Sequence, residues 1–136
     1  MSIQKLVSTL LWVLMMVVSV NVYAEEDVVD DYAYFGFEPD IITNYISNSK
    51  KVGFVRITME IMVKNADSIS IIEHHSPLIR ATVVEILGEQ TEAKIKSATG
   101  KFEIREQCLN AINNLLKKET GQALAERLLF TKYIYH

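Results

Sequence analysis

The chain has 136 residues, of which 49% are apolar, and a formal net charge of −3. This length and apolar content favour one compact domain with its own core, whereas two domains would be crowded. The slightly acidic charge argues against a nucleic acid partner, because proteins that bind nucleic acids are usually basic. The single cysteine, Cys108, excludes an internal disulfide, and we interpret it as a small apolar residue.

Residues 1–24 have the pattern of a signal peptide. One basic residue, Lys5, precedes an uncharged run from Leu6 to Val20, and small residues follow at Val22 and Ala24. This pattern predicts export and cleavage after Ala24. The alternative is an N-terminal membrane anchor, although the run is short against the roughly 20 apolar residues that span a bilayer. The chain contacts the membrane only if this segment is retained.

Residues 25–37 form a leader that is first acidic and then aromatic. Five of the seven residues from Glu25 to Asp31 are acidic, which predicts a solvated, flexible segment. The aromatic part has two interpretations: an edge segment laid over the core, which we favour, or an exposed patch that binds a partner. Its aromatic residues are Tyr32, Tyr34, Phe35 and Phe37.

The clearest strand pattern lies at Phe54–Val63, where two kinds of side chain alternate. The odd positions from Val55 to Val63 are all apolar, whereas charge appears only on the other face. This alternation predicts a half-buried strand at the centre of the sheet. Ile41–Ile46 is predicted to pair with it as an antiparallel hairpin, because turn residues separate the two segments. Arg127–Tyr135 is predicted to be a last strand beside this pair.

Helical signals fill the region between the hairpin and the last strand. Asp67 is predicted to cap a short helix, and Ser76 with Pro77 to begin a second helix that ends at Leu87. A third helix is predicted for Phe102–Glu119, after a weaker helical turn near Thr91. The predicted fold class is therefore α/β in the α+β sense: a small antiparallel or mixed sheet of about three strands, covered by two to four helices. The residues predicted to be buried on the third helix are Ile104, Cys108, Ala111, Ile112 and Leu115.

No group of residues in the sequence has the spacing of a catalytic or metal site. Glu73, His74 and His75 are the nearest candidates, but adjacent helical residues point about 100° apart and do not hold one metal as an i, i+4 pair does. Cys108 lies on an apolar stripe, and the chain has no glycine-rich phosphate loop. The sequence therefore predicts a protein that is not an enzyme and that has no cofactor and no metal.

Five short segments in a fixed order resemble the FliL family of flagellar basal-body-associated proteins. Each is weak alone, but the order and spacing make the set specific, and we assign a FliL-like domain to residues 38–136. The segments are the strand at Pro39, Phe54–Ile61, His75–Arg80, Gly100–Arg105 and Leu129–Ile134.

The resemblance implies a fold similar to the stomatin-type, SPFH-like domain. It also implies a periplasmic location, at the inner membrane and the flagellar basal body, and self-association into a ring that supports the stator. Family members usually have one membrane-spanning helix. The apolar run here is shorter than such a helix, and this departure fits a signal-peptide-bearing paralogue. The alternative function is a soluble periplasmic adaptor or binding module that has the same fold and serves another envelope complex.

Charged and aromatic residues are the candidates for self-association or partner contacts. Arg56 and Glu60 lie on the wet face of the central strand, and Arg80 departs from the apolar stripe of its helix. The resemblance favours Arg56 and Arg80, which match the family pattern, over Glu60. The alternative interpretation of each is an ordinary solvated charge. The aromatic candidates are Tyr32, Tyr34, Phe35 and Phe37.

Overall fold

The computed structural model of the protein describes residues 2–16 and 30–136. A first helix, α1, occupies Ile3–Met16. None of the helices within these two ranges has the length and apolarity to cross a bilayer. The predicted cleavage site after Ala24 and most of the acidic leader lie outside the described residues.

An antiparallel sheet of four strands forms the floor of the domain: β1 (Ala33–Gly36), β2 (Ile41–Tyr45), β3 (Gly53–Val63) and β4 (Ala125–Tyr135). β3 is central, and the predicted hairpin of β2 with β3 is confirmed. β4 pairs along one edge of β3, whereas β1 and β2 pair with successive parts of its other edge. The sheet has four strands where about three were predicted, because part of the aromatic leader forms β1.

The predicted alternation of β3 is confirmed. Val55, Ile57, Met59, Ile61 and Val63 are fully buried, and the helices that follow cover this face. α3 packs against β2 and α5 against β4. The helical elements are a 3₁₀ turn at Ala66–Ser68, α2 (Ile69–His74), α3 (Ser76–Gly88), α4 (Glu92–Lys96) and α5 (Ala98–Thr120).

Two predicted helix caps are wrong. Asp67 is not the cap. The side chain of Asn65 accepts a hydrogen bond from the N–H of Asp67 and so caps the start of the 3₁₀ turn. Ser76 makes no side-chain cap, because α2 and α3 are almost continuous. The N–H of His75 already bonds to Ile71 and that of Ile79 to His75, so α3 begins without a serine cap.

α5 is longer than predicted because its ends have side-chain and glycine caps. The Ser97 hydroxyl accepts the N–H of Gly100 at 2.9 Å, and Gly121 closes the helix with a φ of 81°. Ile104, Cys108 and Ile112 are buried as predicted. Leu116 is fully buried and Leu115 only half-buried, since a spacing of four continues the row from Ile112.

Candidate interaction site at the composite edge of the sheet

β1, β2 and the link between them form one interrupted edge, residues 33–45, which we call the composite edge. After β1, the N–H of Phe37 donates to the carbonyl of Met59 at 3.0 Å, so the chain stays beside β3. Glu38, Pro39 and Asp40 then form the link, with a cis Glu38–Pro39 peptide bond, before β2 begins. The two short strands therefore occupy the length of β3 that a single strand would otherwise fill.

The structure brings two of the sequence-predicted residues, Arg56 and Arg80, to this link. The Nε of Arg56 donates to Oδ2 of Asp40 at 2.6 Å. Arg56 lies on the face of the sheet opposite the helices, which we call the open face. Nη1 of Arg80 donates to the Pro39 carbonyl at 2.8 Å, from α3. The two arginines are far apart in the sequence, yet both hold adjacent residues of one link.

Asp40 is the charged centre of the link. Its Oδ1 accepts the Thr58 hydroxyl at 2.7 Å, and Nζ of Lys132 lies 3.5 Å from its Oδ2. The Thr58 hydrogen bond, followed by that of Arg56, lowers the pKa of Asp40 to about 2. The carboxylate is therefore ionised at neutral pH and joins β2, β3 and β4 across the open face of the sheet.

The aromatic segment divides into buried and exposed residues. Phe37 is only 2% exposed and belongs to the core, and the half-buried Phe35 meets its ring edge to face at 5.0 Å. Tyr34 is 54% exposed and Tyr32 46%. The Tyr32 hydroxyl donates to Asp30, which raises the pKa of Tyr32. The edge-segment interpretation therefore fits Phe35 and Phe37, and only Tyr32 and Tyr34 are displayed.

Three of the predicted candidates, Phe35, Phe37 and Arg80, line a small cavity of about 160 Å³. Glu60 is outside it, half-buried between Gly36 of β1 and Leu129 of β4. The exposed Tyr32 and Tyr34 are also outside it. The candidates thus do not form one patch: some stabilise the composite edge and others face solvent.

The family model described as "Flagellar basal body-associated protein FliL" matches residues 34–135, which is more than half of the chain. The chain belongs to the FliL family. The "Flagellar protein FliL" of Aquifex aeolicus (strain VF5) is 23% identical over 100 residues, which is 74% of this chain and 59% of that relative. The chain therefore spans somewhat over half the length of this relative. The description of the matched family links its members to the flagellar basal body.

Three of the five segments on which the FliL resemblance depends meet at the composite edge. Pro39 lies in the link, Phe54–Ile61 carries Arg56 and Thr58, and His75–Arg80 ends at the arginine that bonds to Pro39. These segments are separated in the chain and contact one another only in the fold. In this FliL-family chain, Arg56 and Arg80 therefore have intramolecular partners.

Three residues of this site were not predicted from the sequence: Asp40, Thr58 and Lys132. Asp40 and Thr58 could have been found, since Thr58 and Arg56 lie two residues apart on one face of a predicted strand, opposite the start of its hairpin partner. Lys132 could not, because its position opposite Thr58 follows a register shift between β3 and β4. No periodic pattern in the sequence predicts this shift.

The histidines and the cysteine have structural surroundings. Nδ1 of His75 lies 2.8 Å from the Ile71 carbonyl, and the rings of His74 and His75 meet edge to face at 5.0 Å. Burial raises the pKa of the Cys108 thiol to about 12, which makes it a poor nucleophile. Across residues 2–16 and 30–136, no three His, Cys, Asp or Glu side chains are grouped so that they could hold a metal ion.

Proposed function

We propose that the chain is a non-enzymatic accessory protein of the flagellar motor that acts in the periplasm, self-associates into a ring and supports the stator. The observation that carries the proposal is the FliL family match over residues 34–135, from β1 to the end of β4. The match covers the whole sheet and its helices, so the proposed role belongs to this folded domain.

The open face of the sheet supports self-association. Ile42, Phe54 and Ile134 are large apolar residues that are 60%, 47% and 41% exposed. They adjoin the charges of Arg56 and Asp40, so apolar area and both signs of charge occur on one face. Such a mixed surface is suited to contact with a second copy, in which apolar groups bury area and charges set the orientation.

Deletion of the gene tests the motor role. We expect deletion to reduce swimming while filaments are still assembled, and the torque of a bead attached to one filament to fall in steps as stator units are lost. Re-expression of the wild-type chain should restore both. Normal swimming and torque in the deletion strain would contradict the proposal and favour the adaptor function in another envelope complex.

Reversal of Arg56 tests whether the open face makes the contact. Arg56→Glu should reduce swimming, because a like charge at an interface costs several kcal/mol. The matched control is Asp40→Asn, which also breaks the Arg56–Asp40 ion pair but leaves the arginine available to a partner. If both variants swim equally well at equal melting temperatures, Arg56 stabilises the link only.

Arg80→Glu is the parallel test on α3, with Lys118→Glu on α5 as a charge-reversal control. Arg80 is half-buried and bonds to Pro39, whereas Lys118 is exposed. If Arg80 contacts a partner, swimming should fall in the Arg80 variant by more than its melting temperature explains. If swimming falls in proportion to the melting temperature in both variants, Arg80 stabilises the fold and does not contact a partner.

A further inference from the structure

The outer side of β4, away from β3, offers unpaired backbone groups. His136 exchanges two hydrogen bonds with Phe54, at 2.9 and 3.2 Å, and hydrogen-bonded pairs alternate along an antiparallel ladder. The register therefore directs the N–H and C=O groups of alternate β4 residues outward. No backbone hydrogen bond within the described part of the chain reaches these outward groups. They belong to Leu128, which is only 1% exposed and therefore out of reach of a partner, and to Phe130, Tyr133 and Tyr135. We call residues 130–135 the open edge.

Where β4 begins, a side chain already occupies the position of a neighbouring strand. Nδ2 of Asn113 donates to the Ala125 carbonyl at 2.8 Å, and its Oδ1 accepts the N–H of Ala125 at 3.0 Å. An amide side chain has the same donor and acceptor pair as a peptide group. The outer side of β4 thus accepts a peptide-like partner at Ala125, and the open edge lies further along the same strand without one.

A groove between α5 and β4 runs beside the open edge. Two adjoining cavities of about 240 and 270 Å³ lie in it, and both are lined by Arg105 and Leu129. The first also contains Phe102, whose side chain is 55% exposed. The Arg105 guanidinium carbon lies 5.0 Å from the centre of the Phe102 ring. The groove can therefore take apolar side chains from a neighbouring strand.

The charge along this groove is opposite to that of the whole chain. Lys101, Arg105 and Arg127 line it together with one carboxylate, Glu106, which lies 3.6 Å from Arg105. Lys101 stands 5.1 Å from the centre of the Tyr133 ring. Neither Lys101 nor Arg127 forms an ion pair with any residue in the described ranges, although the net charge of the chain is −3. Complementarity therefore favours a negatively charged occupant.

We propose that the open edge binds an extended, acidic segment of another protein, which adds to the sheet as a strand beside β4. In this mode backbone hydrogen bonds supply affinity, while alternate side chains supply specificity. Apolar side chains of the segment enter the two cavities, and its carboxylates meet Lys101 and Arg127. The inference goes beyond the proposed function, since it depends on the geometry of β4 and holds whichever complex supplies the segment.

The test uses a fluorescent peptide of alternating valine and glutamate, about six residues long to match the open edge. Binding to the purified full-length chain is followed by fluorescence anisotropy. We expect saturable binding, and we expect N-methylation of alternate peptide amides to weaken it about tenfold or more, because several strand hydrogen bonds are lost. A peptide with lysine in place of glutamate should also bind about tenfold more weakly.

The protein variant for the same test is Lys101→Glu combined with Arg127→Glu. It should weaken binding of the glutamate peptide about tenfold. Lys50→Glu, in the turn between β2 and β3, should not. Circular dichroism establishes that each variant is folded, and the N-methylated peptide tests the proposal on the wild-type chain should a variant unfold.

Three outcomes would overturn the proposal. One is equal affinity for the N-methylated and unmodified peptides, which excludes strand addition. Another is equal affinity of the wild-type chain and the Lys101/Arg127 variant, which removes the charge argument. The third is absence of peptide binding together with dimers in which the amides of Tyr133 and Tyr135 are protected from hydrogen exchange. That result would assign the open edge to a second copy of the chain.

Discussion

The composite edge and the open edge border the same sheet but complete their hydrogen bonds differently. β1 and β2 have 4 and 5 residues, and the end of the composite edge is joined to the α3–α4 connection through hydrogen bonds from Ile46 to Gln90 and from Glu92 to Ile46. β4 has 11 residues, and Asn113 occupies its outer side only at Ala125. Two register shifts against β3 are the other irregularities of this strand.

This difference separates residues that maintain the fold from residues that are available to a partner. Short, interrupted strands and inward anchors protect a sheet edge, whereas a long strand with no neighbour leaves a template for pairing. On the composite edge, Arg56 and Arg80 are engaged with Asp40 and Pro39. Near the open edge, Lys101 and Arg127 form no ion pair with any described residue, and no described strand lies on the outer side of β4.

The largest expected effect is at Phe37, which anchors the composite edge in the core. Phe37→Ala should lower the free energy of unfolding by about 3 to 5 kcal/mol, because it leaves a cavity in packed surroundings. Tyr34→Ala, three positions earlier and 54% exposed, should cost about 1 kcal/mol or less. Urea unfolding measures both, and equal losses would mean that the composite edge is not anchored through Phe37.

An intermediate effect is expected at Asn113, the side chain that ends the open edge. Asn113→Ala should cost about 1 to 3 kcal/mol, since the N–H and C=O of the buried Ala125 lose their partners. Asn114→Ala makes the same change at the next, exposed position of α5 and should stay within about half a kcal/mol. The Ala125 amide should also exchange faster in the first variant only. An unchanged exchange rate of the Ala125 amide in Asn113→Ala would mean that Asn113 does not protect the start of β4.

The smallest effect concerns the pH dependence of the link. The folded-state pKa of Asp40, about 2, is below its ordinary value of 3.8, so the ionised carboxylate favours folding. That contribution is complete above pH 3.8 and is lost as the pH falls through about 2. Asp40→Asn should therefore be less stable than wild type at neutral pH, and the two melting temperatures should converge over this acidic range. A difference that is constant with pH would exclude Asp40 ionisation as its cause.

The elements that local periodicity describes were predictable from the sequence. The buried alternation of β3 and the stripe of Ile79, Val83 and Leu87 on α3 are confirmed, because spacings of two and of about 3.6 report directly which side of an element is apolar. The five segments in their order, from Pro39 to Leu129–Ile134, were also enough for the family. They describe the order of motifs along the chain, which needs no knowledge of contacts.

Tertiary structure alone decided which distant groups meet. It placed β1 and β2 on one edge of β3 and β4 on the other, and it set Lys132 beside Asp40. The bond of Asn113 to Ala125 likewise joins a helix to a strand. Strand pairing and register depend on hydrogen bonds between residues remote in the chain, and periodicity carries no information about those partners. The sequence by itself thus determined three of the four described strands, the main helices, their buried faces and the family, whereas the fold decided which edge of the sheet was closed and which stayed open.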